Sequence, residues 1–70
     1  MRVVEIKKEP IELYMSLKLE NMVASGGEAK FVIAEGLVLV NGEVETRKRK
    51  KIVGGDIIEF DNEKVQISCK

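Results

Sequence analysis

Arg47, Lys48, Arg49, Lys50 and Lys51 place five cations side by side in a chain whose formal net charge is zero. Cations at that density bind polyanions, and the expected partner is a phosphate backbone. Twelve basic residues balance twelve acidic ones over the whole sequence; without the run, seven remain against twelve, a net of −5. A body of that sign repels polyanions, so the contact should be oriented rather than indiscriminate. Without a counter-anion, five like charges repel one another and cost stability in a small domain. The run also fits a nuclear-localisation segment, but its place between two predicted strands argues for a folded surface.

Two further places could serve the same chemistry. Gly26 and Gly27 fall in the first turn of a predicted helix, where each glycine costs roughly 1 kcal/mol relative to alanine. Bare backbone at a helix start offers N–H groups to a phosphate oxygen, and Lys30 projects near the Gly26 side of the wheel. The plainer alternative is that the glycines let helix one pack closely while Lys30 is merely solvated. Lys18 falls between Ile11 and Tyr14 on the apolar side of helix one. Its stem should cover apolar surface while the ammonium emerges beside Lys30 or the basic loop, or simply reaches water.

Catalysis finds little support. With no histidine and one cysteine, the chain lacks the ordinary zinc ligands and the usual imidazole base. Glu43 and Glu45 share a strand face, as paired carboxylates would, but Val44 between them needs the inward side, so they read as a solvated outer face. Ser16, Ser25 and Ser68 have no adjacent activating base. No enzyme, cofactor or metal site is expected. Tyr14, Phe31 and Phe60 all fall on predicted core faces, leaving no stacking platform, so the contacts should be to the backbone and shape of a structured RNA.

These residues must be positioned by local structure. Arg2 to Lys7 reads as a short strand. Pro10 suits a first helical position, with Glu9 and Glu12 at the positive end of the dipole, and helix one runs to about Glu20. Glu12, Ser16 and Glu20 form its polar stripe, while Ile11, Leu13, Tyr14, Met15, Leu17 and Leu19 make it largely buried. Ser25 with Glu28 matches a capping box that starts helix two; Ala29, Val32 and Ile33 are its apolar face, extended by Phe31, and Gly36 ends it. Leu37–Val40 and Glu43–Thr46 flank Asn41-Gly42, a strong hairpin turn. Ile52-Val53, a turn at Gly54-Gly55-Asp56, a strand at Ile57–Phe60, a turn at Asp61-Asn62 and a last strand at Lys64–Ser68 follow. Helices grouped before strands predict an α+β domain: two packed helices against a small, mainly antiparallel sheet.

Seventy residues hold one domain, residues 1–70, with a small core. The lone Cys69 precludes a disulfide framework and fits a reducing, cytoplasmic setting. No stretch of about 18 apolar residues is present for a membrane span, and the first residues lack a signal peptide's apolar segment.

Taken together, Leu17-Lys18-Leu19, Ser25-Gly26-Gly27-Glu28-Ala29-Lys30, Glu35-Gly36-Leu37-Val38-Leu39-Val40-Asn41-Gly42-Glu43, Glu45-Thr46-Arg47 and Gly55-Asp56-Ile57-Ile58 resemble the RNA-binding domain named for small-subunit ribosomal protein S-four, the alpha-L motif. The similarity covers about residues 11–60 and is strongest to small stand-alone bacterial members. The resemblance implies a basic surface on helix two and the following hairpin, used on structured ribosomal or transfer RNA. By position, Lys30 and Arg47 to Lys51 would contact phosphates. Many relatives carry an arginine directly after the capping serine and an Arg-Leu-Asp opening to helix one. Here Gly26 follows Ser25 and that opening is missing, which shifts the burden to Lys18, Lys30 and the basic loop. The expectation is a monomeric, ribosome-associated RNA binder without membrane contact. The alternative is a protein adaptor that docks the basic loop on an acidic partner.

Overall fold

Helix one begins at Leu13 rather than at Pro10, and the residues between them organise the fold. The computed structural model describes residues 2–70. Ile11–Glu12 forms a two-residue strand, β2, which pairs antiparallel with β5 (Lys51–Ile52) through Ile11↔Ile52 and Glu12↔Lys51. Pairing with a distant strand thus overrides the helix-start preference of Pro10, and Glu9 turns away to accept from the Gly54 N–H at 2.7 Å. The other elements in chain order are β1 (Arg2–Ile6), α1 (Leu13–Leu19), α2 (Gly26–Ala34), β3 (Val38–Val40), β4 (Glu43–Val44), β6 (Ile57–Phe60) and β7 (Glu63–Cys69).

The main sheet has the order β1-β7-β6-β3-β4. Its neighbours are antiparallel except β1 and β7, which run parallel from Arg2↔Val65 to Ile6↔Cys69. The sequence order of elements carries no sign of that pairing, because everything else in the fold serves as the crossover. The result is α+β, as expected. One core joins the layers: Leu13 and Leu17 of α1, Ile33 of α2, and Val38, Ile58 and Ile67 of the sheet are buried together.

Local signals end the elements where the sequence places them. Ser25 Oγ accepts from the Glu28 N–H at 3.2 Å, and Glu28 Oε1 accepts in turn from the Ala24 N–H at 2.7 Å, a reciprocal cap. Gly36, at φ +77°, lets the Leu37 N–H reach the Val32 carbonyl and closes α2. Asn41 and Gly42 both adopt positive φ between β3 and β4, as do Asp61 and Asn62 between β6 and β7, the geometry of tight hairpin turns.

Helix one is less buried than its composition suggests. Seven residues long, it turns only Leu13, Ser16 and Leu17 inward, a single stripe at i, i+3, i+4. Ser16, expected on the polar face, is buried, and its hydroxyl donates to the Leu13 carbonyl at 2.6 Å. Met15 and Leu19 are exposed instead.

Candidate nucleic-acid interface

The basic run is a tight turn locked onto the start of α1. The Lys50 N–H donates to the Arg47 carbonyl at 3.2 Å, leaving Lys48 and Arg49 at the corner. The carbonyls of Lys50 and Lys48 accept from the N–H groups of Leu13 and Tyr14, at 2.9 and 3.1 Å. The first helix has no side-chain cap, so loop backbone satisfies donors that would otherwise be orphaned. Side chains of Thr46 through Lys51 line an open hollow beside that junction.

The five cations are not left to repel one another unassisted. Arg47 holds Glu45 through two parallel bonds, Nε to Oε2 at 2.9 Å and Nη2 to Oε1 at 3.1 Å, while its backbone N–H donates to Oε2 at 3.1 Å. Those hydrogen bonds, opposed by partial burial and helped by the charges of Arg47 and Lys50, hold the Glu45 carboxyl down at about 2. Arg49 Nε lies 3.8 Å from Glu12 Oε2, an exposed and weaker pair. Among the described residues, Lys48, Lys50 and Lys51 make no ion pair. The fold thus supplies counter-anions for the two arginines and leaves three lysine charges uncompensated.

Glu45 also corrects the reading of the hairpin. Strand β4 stops at Val44, which is 58% exposed, whereas the Glu45 side chain is only 14% exposed. Val44 therefore does not take the inward side expected of it, and Glu43 and Glu45 differ in burial, Glu43 exposed and Glu45 held by Arg47.

Tyr14 is where the distant candidates meet. Its N–H is on the Lys48 carbonyl, and Lys30 Nζ stands 5.1 Å from the centre of its ring, within cation–π range. Lys18 follows one helical turn after Tyr14 and is exposed. Gly26 precedes Lys30 by one turn of α2. A Cβ at Gly26 would meet nothing within 4 Å, and one at Gly27 only Ser25 Oγ at 3.8 Å. Close packing against helix one therefore does not account for either glycine.

Phe31 departs from expectation most. It is 63% exposed rather than part of the core, while Tyr14 and Phe60 are half-buried against it. The spacing of Ala29, Val32 and Ile33, buried at i, i+3, i+4, places Phe31 on the opposite side of α2; that signal was present in the sequence and outweighed by residue type. Cys69 is half-buried, and burial together with the Glu9 carboxylate pushes its thiol up from the usual range, which lowers its reactivity. Among the described residues no helix is long and apolar enough to cross a membrane.

The hairpin turn and the Gly-Asp turn, fifteen residues apart, are joined directly. Asn41 Nδ2 donates to Asp56 Oδ1 at 3.0 Å, Asn41 Oδ1 accepts from the Ile57 N–H at 2.9 Å, and Asp56 Oδ2 accepts from the Val53 N–H at 3.0 Å. The chain belongs to the S4 domain family, whose model matches residues 4–68. It is 48% identical over 68 residues to the Escherichia coli (strain K12) protein named "Putative RNA-binding protein YbcJ", spanning 96% of this chain and 97% of that one. The solution structure of YbcJ, described as revealing an alpha-L motif involved in RNA binding, matches with a TM-score of 0.74, covering 97% of this chain and 87% of that chain. The Bacillus subtilis (strain 168) protein named "Probable ribosome maturation protein RlbA" is 40% identical over 58 residues, 83% of this chain and 82% of that one. The crystal structure of 30S ribosomal protein S4e from Thermoplasma acidophilum matches with a TM-score of 0.62 at 27% identity, covering 83% of this chain but 31% of that one.

Proposed function

We propose that this chain is a single, non-enzymatic RNA-binding domain that holds structured ribosomal or translation-associated RNA in the cytoplasm. Its surface comprises Lys18, Gly26, Gly27, Lys30, Arg47, Lys48, Arg49, Lys50 and Lys51. The observation that carries this reading is the convergence on Tyr14, where Lys30 of the second helix and the Lys48 backbone of the basic turn meet. Membership of the S4 family and the names of YbcJ and RlbA support it. Within that surface the three unpaired lysines contact phosphates, whereas Arg47 and Arg49, engaged with Glu45 and Glu12, chiefly set the shape of the turn.

Crosslinking in cells followed by sequencing of the attached RNA tests the assignment. Enrichment of one folded RNA is the expected result. Crosslinks no denser than background, with salt-sensitive capture of an acidic protein through the same loop, would replace RNA binding by the adaptor function.

A further inference from the structure

Phe31 is the most exposed large apolar side chain among the described residues, and it stands on the helix that carries Lys30. Helical side chains lean toward the N-terminus, which directs the Phe31 side chain toward the turn containing Gly27, one turn earlier. A Cβ added at Gly26 would meet nothing within 4 Å and one at Gly27 only Ser25 Oγ at 3.8 Å, so that turn presents bare backbone with room beside it. The Phe31 side chain itself is 63% exposed, so a ring face is accessible from solvent.

The charges around the ring are unequal. On one flank is Lys30, which continues through Tyr14 to the basic turn. On the other are the exposed carboxylates of Glu28, already bonded to the Ala24 N–H, and Glu35. A polyanionic strand is therefore favoured on the Lys30 flank and repelled on the other, so a group that reaches across to the ring should be uncharged.

We infer that Phe31 is a stacking site for one unpaired nucleobase of an RNA whose backbone is held by Lys30 and the lysines of the turn. The inference rests on the proposed function and adds to it a requirement for an unpaired nucleotide beside the structured region. Stacking on an aromatic ring needs a free base face, which a base inside a duplex does not offer.

The test compares the whole chain with Phe31→Leu and Phe31→Trp, using two probes: an RNA hairpin with an unpaired loop, and a blunt-ended RNA duplex of the same stem sequence. Leucine keeps apolar bulk at an exposed position and removes only the π face. Phe31→Leu should bind the hairpin about tenfold more weakly and the duplex unchanged, while Phe31→Trp should match or exceed the parent on the hairpin. Equal hairpin affinity for Phe31→Leu and parent, or an equal loss on both probes, would overturn the stacking site, as would a loss confined to a protein partner. If the parent itself bound neither probe in a salt-dependent manner, the RNA-binding reading would fall and the stacking site with it.

Discussion

The backbone N–H of Tyr14 donates to the carbonyl of Lys48 at 3.1 Å, fastening the basic turn to the first helix by main-chain atoms alone. The lysine side chains of the turn take no part in that bond, so their charges can be changed while the backbone stays anchored.

Replacing Lys48, Lys50 and Lys51 together by alanine should weaken RNA binding without unfolding the domain, because exposed charge contributes little to the core. If all three contact phosphates, the slope of log K against log salt should become shallower by roughly 2 to 3 units. Replacing Arg47 and Arg49 should change the slope less, since each already has a carboxylate partner. Salt titrations of the two variants decide it; a larger loss from the arginine pair would reverse their assigned roles.

Glu45 gives the domain an acid-sensitive element. Its folded pKa is depressed from 4.5 to about 2, so its contribution to stability is complete above the higher value and disappears as pH falls through the lower one. Urea midpoints measured across that interval should decline for the parent and decline less for Glu45→Gln. The same substitution releases Arg47, so it should also raise RNA affinity and steepen the salt slope by about 0.7 to 0.9 units.

Gly26→Ala and Gly27→Ala should each stabilise the protein by about 0.5 to 1 kcal/mol in denaturant titrations, because an added Cβ meets no obstacle and neither residue has positive φ. RNA affinity should fall as stability rises. A gain in stability with unchanged affinity would remove bare backbone from the interface.

What the sequence made legible was mostly local. The Ser25 cap, the Gly36 terminator and the turns at Asn41-Gly42 and Asp61-Asn62 depend on neighbouring residues, and all four stand where they were expected. The start of helix one was not legible, because Ile11 and Glu12 take their conformation from Lys51 and Ile52, which only tertiary pairing brings near. For the same reason the counter-anion roles of Glu45 and Glu12 stayed hidden behind the net charge of the run. Phe31 is a different case: periodicity placed it outside the core, while its hydrophobic character argued for the inside, and periodicity was right.

The parallel pairing of β1 with β7 has a consequence for how the protein is made. Residues 2–6 are synthesised before residues 65–69, yet among the described residues those are the strand they pair with. Closing so long a loop is entropically late, and contacts of this sequence separation slow folding. Until residues 65–69 have been made, β1 has no strand to pair with, so its place in the sheet is the last to be filled.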